Sequence, residues 1–209
     1  MGVLSSKAIK RAKKKGEIVI DRFHEERLGE VSYDLGLGEI IWVPRIPIDG
    51  QVVFLDNPKN VWEGPLKAKS IKEWREETGL KIPSNFDRRG FVILAEQLFL
   101  GHTEEFIGSA SKKYTTKIFS RSTAKRWGLE VVSDAGVGNP GYINRWTLEL
   151  KNQNHYPIFL PAGALIAQIQ FLRAEKPVNI RPTVYQSGDS LGELKKKWRP
   201  EDMLPKPLL

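Results

Sequence analysis

The sequence contains no cysteine, so disulfides and thiolate metal sites are both excluded. That fits a chain kept in a reducing, intracellular setting. The 3 histidines, His24, His102 and His155, stand far apart and read as structural residues. With no P-C-x-x-C pair, zinc-dependent nucleobase chemistry is disfavoured. No uninterrupted apolar run reaches the ~18 residues needed to span a bilayer, and residues 1–20 hold no signal-peptide core. A soluble, cytoplasmic protein with no membrane partner is expected. Walker loops and G-x-S-x-G elbows are also missing.

What is present is 209 residues with 40% apolar content, 18 Gly and 13 Pro, enough for one well-cored domain. Many short apolar runs separated by Gly, Pro, Asn and Asp favour strands over helices. The net charge of +8 suits a polyanion, whether nucleic acid, a membrane surface or the phosphates of a small nucleotide, and does not choose among them.

Ser5 and Ser6 can cap a helix running to Lys15, with Gly16 stopping it before an apolar strand at 17–21. Its cations, Lys7, Lys10, Arg11, Lys13, Lys14 and Lys15, read as a solvated face. The segment VSYDLGLGEII (31–41) alternates polar and apolar residues around two glycines, as a strand bending at a barrel corner does. Ser70 opens a helix that Gly79 ends, inside a polar, proline-punctuated insertion at 56–89. Further strands are expected at 90–94, 97–101, 114–121, 129–133, 145–151 and 164–172. The tail from Arg181 to Leu209 reads either as an extended arm packing on another subunit or as a flexible end.

Chemistry concentrates between Phe119 and Leu150. In SRSTAKRWGL (120–129) a strand leads into a short helical turn presenting amides, hydroxyls and guanidinium groups together, either an anion site or an N-cap with solvated cations. In RWTLELK (145–151) Trp146, Leu148 and Leu150 point one way while Thr147, Glu149 and Lys151 point the other. Glu149 is then an ordinary exposed glutamate, unless that second face lines a cavity whose burial raises its pKa. DAGVGNPGY (134–142) is a glycine-rich hairpin, either a plain turn or a loop that reads a base through its backbone and packs Tyr142 on a sugar.

In this order, SRSTAKRWGL, DAGVGNPGY, TLELKN and GALIAQIQF (163–171) resemble the dCTP deaminases of the dUTPase-like superfamily. SYDLGLG (32–38), LSSKAIK and GEIVID resemble that family's N-terminal segments. The resemblance covers most of the chain outside 56–89 and 181–209. It implies a mainly β protein, a distorted β-barrel of the β-clip type with a few short helices, forming a homotrimer with active sites between subunits. It also implies metal-independent hydrolysis of dCTP to dUTP and ammonia, with Mg²⁺ carried by the triphosphate. By motif position Glu149 matches the catalytic glutamate, Ser122 and Arg126 the water-positioning serine and essential arginine, and Ala135 the alanine whose carbonyl holds the water. Arg121 and Thr123 fall where the family contacts phosphate and loop, Tyr142 beside the deoxyribose, and Gln168 in a strand near the nucleotide. Asp134, Asn139, Tyr185 and Gln186 complete the expected nucleotide contacts, with Lys195 to Lys197 as further candidates for gripping the triphosphate.

Asn139 stands where dUTPases carry the aspartate that activates water for attack on phosphorus, and an amide is not a base. This argues against dUTP diphosphatase or bifunctional activity. The family pattern also breaks at Val132, Asp134, Ile143 and Asn144. A non-catalytic nucleotide-binding member of the fold is the other alternative; nucleic acid is not the expected partner.

Overall fold

The computed structural model describes residues 2–46, 50, 52–83, 87–132, 135–180 and 183–207. In chain order the elements are β1 (Gly2–Val3), α1 (Ser6–Lys14), β2 (Ile18–Ile20), β3 (Tyr33–Gly36), β4 (Ile40–Pro44), α2 (Pro58–Val61) and β5 (Trp62–Lys67). They continue through α3 (Ile71–Thr78), β6 (Gly90–Ile93), β7 (Leu98–His102), β8 (Ile107–Ser109), β9 (Tyr114–Ser120), α4 (Ser122–Arg126) and β10 (Leu129–Val131). Last come β11 (Val137–Gly138), β12 (Ile143–Asn144), β13 (Thr147–Asn152), β14 (Ile158–Pro161), β15 (Leu165–Arg173) and α5 (Leu191–Lys197). Short 3₁₀ turns lie at Glu25–Arg27 and Pro200–Met203.

The protein is mainly β, as expected. Its strands form four sheets: β1-β15-β9-β11 with β3 also on β15, β10-β13-β7-β4-β5, β12-β8-β2, and β14-β6. Every pairing between these strands is antiparallel, and the sheets remain separate ladders instead of one closed barrel. They share one apolar core to which nearly every sheet contributes, including Ile18, Leu35, Phe91, Phe99, Ile107, Leu148 and Phe171. Alternation along β13 puts Leu148 and Leu150 into that core, fully buried, and leaves Glu149 on the opposite face.

Local signals place several elements. Ser70 and Glu73 form a reciprocal capping box, and Gly79, at φ 66°, ends α3 in the left-handed conformation that glycine adopts without strain. Ser5 precedes α1 without making a side-chain cap. The expected bend at 31–41 divides β3 from β4. Within 56–89 the chain does more than connect: β5 pairs with β4, and Trp62 and Trp74 are buried. The C-terminal segment does not extend away from the chain. Leu194, Trp198, Met203 and Leu204 are buried against Trp42, Trp62, Leu100 and Phe106 of the same chain, and the Trp42 indole N–H donates to the Pro200 carbonyl at 3.0 Å. No helix among the described residues is long and apolar enough to cross a membrane.

Candidate functional site

The glycine-rich hairpin, the outward face of β13 and the C-terminal segment enclose a cavity of about 1000 Å³. The hairpin is held against the sheet by close approach. A Cβ at Gly138 would fall 2.3 Å from the Thr116 hydroxyl and 2.4 Å from the Trp146 ring, so only glycine lets the backbone lie there. Tyr142 closes this wall by meeting Trp146 edge to face, with ring centroids 4.9 Å apart.

Glu149 lines the cavity beside Thr147. Partial burial raises its pKa above the ordinary glutamate value, against the pull of its own backbone N–H. Its backbone carbonyl accepts a 2.9 Å hydrogen bond from Val132 N–H. Val132 sits at φ 51°, which a β-branched residue adopts only where its surroundings force it, so the backbone at Val132 is held in strain beside the carboxylate-bearing strand. Burial likewise raises the Tyr142 hydroxyl.

Of the residues singled out from the sequence, Glu149, Ala135, Asn139, Tyr142 and Tyr185 meet around this one cavity. Gln186 stands just behind it: its side-chain oxygen accepts from Ile143 N–H at 2.9 Å and its amide donates to the Gly188 carbonyl. Asn144 donates to the Tyr185 carbonyl at 2.5 Å, tying the C-terminal segment to β12. Asp134 lies outside the described residues.

The α4 group lies elsewhere. Ser122, Thr123 and Arg126 are exposed on α4 and do not line the cavity. Arg121 precedes α4 and pairs with Asp34 at 3.2 Å, and Gln168 accepts from the Ser32 hydroxyl at 3.1 Å. Within one chain, therefore, Glu149 and Ser122 do not converge. Lys195, a candidate for the triphosphate, is instead paired with Asp21 at 2.8 Å.

Sequence reasoning missed Trp62, Leu100, Asn144, Val178, Asn179, Val184, Asp202 and Met203, all of which line the cavity. Thr147 could have been found, since it shares Glu149's face of β13 two residues away. Asn144 lies in β12, between the hairpin and β13, and the others outside this stretch come from distant segments that only folding brings together. Among the described lining residues, Glu149 and Asp202 are the charged ones, and neither lysine nor arginine is among them.

Fold and cavity together mark a candidate enzyme site: a carboxylate held at raised pKa on the wall of a cavity of mixed polar and apolar lining. Comparison with known proteins makes this specific. The family model described as dCTP deaminase-like matches residues 3–174, and the chain belongs to that family. A protein of Methanopyrus kandleri named "dCTP deaminase, dUMP-forming" is 33% identical over 181 residues, 85% of this chain and 84% of the relative. Proteins of the same name from Nanoarchaeum equitans and Clostridium acetobutylicum are each 30% identical, covering 82% and 81% of this chain and 84% and 81% of theirs. The fold is shared with the crystal structure of 2'-deoxycytidine 5'-triphosphate deaminase from Agrobacterium tumefaciens, at TM-score 0.53 and 15% identity. That alignment covers 81% of this chain and 47% of the other, so this chain spans about half the length of that solved one.

Proposed function

We propose that the protein hydrolyses the 4-amino group of dCTP, with Glu149 as the general base. The observation that carries this reading is a half-buried carboxylate of raised pKa lining the same cavity as Ala135, Asn139 and Tyr142. Glu149 takes one proton from water as the oxygen adds to C4 of the ring and delivers it to N3, then takes the proton of the new C4 hydroxyl and delivers it to the amine as the C4–N bond breaks and the C4 carbonyl forms. Water and cytosine thereby become uracil and ammonia, with nothing oxidised or reduced. The Ala135 carbonyl orients the water, Tyr142 packs on the sugar, and any Mg²⁺ arrives with the triphosphate as part of the substrate.

A nucleoside triphosphate needs cations, and the described cavity wall supplies none. The exposed Ser122 and Arg126, with Arg121 beside them, are suited to complete the site of a neighbouring copy in a homotrimer. The test is mixed assembly. Ser122→Ala and Glu149→Gln chains are each inactive alone, and refolding them together restores ammonia release, because some sites then pair an intact Glu149 with an intact Ser122 from another copy. Persistent inactivity of the mixture rules out shared sites.

A second reading concerns the product. The relatives' names add cleavage to dUMP, and this is favoured by their similarity along most of the chain. Against it stands Asn139, whose amide takes no proton. dUTP is therefore the product assigned to this chain, and separate measurement of ammonia and pyrophosphate from dCTP decides between the two. Ammonia without pyrophosphate supports dUTP, both in equal amount support dUMP, and no ammonia sinks the deaminase reading altogether.

A further inference from the structure

Away from the Glu149 cavity, the fold builds a second concave surface where α1 crosses the ends of β9 and β15. This groove, of about 270 Å³, is lined by Leu4, Ala8 and Ala12 and by Arg11, Lys15, Glu17, Lys113, Tyr114 and Arg173. From sequence alone the α1 cations form an ordinary solvated face. Folding changes their company, because the antiparallel pairing of β9 with β15 sets Arg173 opposite Tyr114 and brings both, with Lys113, against the helix.

The charge in the groove is unbalanced. Glu17 is its one acid, and that carboxylate is already engaged, accepting from Lys113 at 2.7 Å and from the Tyr114 hydroxyl at 3.4 Å. Arg11, Lys15 and Arg173 make no ion pair among the described residues, and Arg173 is near enough to oppose the charge of Lys113. Lys7, Arg11 and Lys15 stand four residues apart, so they form a row along one side of the helix. Over 9 residues that helix is about 13 Å long, a reach that exceeds a single phosphate group and suits consecutive phosphates. Lys15 also acts on Glu17 and Tyr114 is partly buried, yet the cations outnumber that one acid, and an aromatic ring beside such a line is the arrangement that holds single-stranded nucleic acid, the cations following the backbone while the ring faces a base.

We propose that the groove between α1 and the paired ends of β9 and β15, formed by Arg11, Lys15, Tyr114 and Arg173, binds single-stranded nucleic acid through its phosphodiester backbone, independently of the Glu149 cavity.

The probe is a fluorescently labelled oligothymidylate, titrated with the full-length protein and followed by anisotropy. Three unpaired cations predict a log–log salt slope of about −2, so a tenfold rise in salt weakens binding about a hundredfold. The triple variant Arg11→Glu, Lys15→Glu, Arg173→Glu loses binding. The equally charged control Lys59→Glu, Lys72→Glu, Lys81→Glu, made at exposed sites outside the groove, retains it. A milder variant, Arg11→Gln, Lys15→Gln, Arg173→Gln, whose fold is checked by its unchanged rate of ammonia release, weakens binding and flattens the salt slope. Absence of binding at low salt, equal loss in groove variant and control, or equal affinity for duplex and single strand would each overturn the proposal.

Discussion

Glu105 offers a direct test of how burial sets charge in this fold. Its side chain is fully buried, one carboxylate oxygen is bonded to the Arg27 guanidinium, and the other has no hydrogen-bond partner among the described residues. Burial above all, with Glu104 adding to it, pushes the Glu105 pKa up to about 7 from 4.5, against the pull of its own backbone N–H and of Arg27, which also holds Glu104 at 3.0 Å. Tyr33, Asp34 and Arg145 also face the cluster. Because the folded value is raised, the folded state binds more protons than the unfolded chain throughout this window. Stability is therefore fully present below 4.5 and is lost as pH rises through about 7. At about 1.4 kcal/mol per decade, that interval is worth about 3 kcal/mol. His102 works in the opposite sense. It is buried, with one ring nitrogen bonded to the Thr103 carbonyl, and burial lowers its pKa from 6.5 to about 4, so stability falls as pH drops through that range.

In wild type the two slopes oppose one another. Replacing Glu105 with Gln removes one and leaves the other. The assay is urea unfolding followed by tryptophan fluorescence, with free energies compared between wild type and Glu105→Gln from about pH 4 to about pH 8. Losing the Arg27 bond shifts the variant by a constant amount, so the difference to read is the slope. Relative to Glu105→Gln, wild type should lose about 3 kcal/mol across the range. A difference that stays flat with pH would mean that Arg27 keeps Glu105 ionised throughout, and the burial argument would fail.

Glu149→Gln is expected to lower kcat by about 10²–10⁴ while leaving dCTP binding nearly unchanged, since the amide still hydrogen-bonds but takes no proton; equal losses in binding and turnover would contradict the assignment. Because burial raises the Glu149 pKa and the base works ionised, wild-type kcat should fall on the acid side at a pH above the ordinary glutamate range, and a plateau reaching into that range would refute it. Asn139→Asp introduces a carboxylate into the cavity wall and should add pyrophosphate release to ammonia release; unchanged products would show that position 139 does not decide the second step. Trp198→Ala should cost about 3–5 kcal/mol, read from the urea midpoint, and expose the segment after Ser190 to protease, because Trp198 is buried against the cluster around Trp42 and Trp62.

The strand that carries Glu149 was legible because alternation is a local property. A period of two in RWTLELK is enough to separate Leu148 and Leu150 from Glu149, and glycine spacing is enough to mark the hairpin that ends at Tyr142. Strands β11 and β12 escaped notice because two residues carry no period, and β5 because glycine and proline interrupt it. The C-terminal segment escaped for a related reason: Leu194, Trp198 and Met203 have no partner near them in sequence, and their burial depends on Trp42 and Trp62 from far upstream.

The sequence by itself determined the mainly β class, the inward and outward faces of β13, and the motif order that identifies the family. Whether Glu149 is a spare surface carboxylate or a half-buried one of raised pKa was decided by tertiary structure, which lays the hairpin and the C-terminal segment over its face of the strand. The same holds for α4 and α1. Ser122 and Arg126 read as neighbours of Glu149 in sequence, yet they stand outside its cavity, and the α1 cations acquire Tyr114 and Arg173 only when β9 and β15 pair. Burial and electrostatic neighbourhood depend on what lies across space, and a linear pattern records only what lies along the chain.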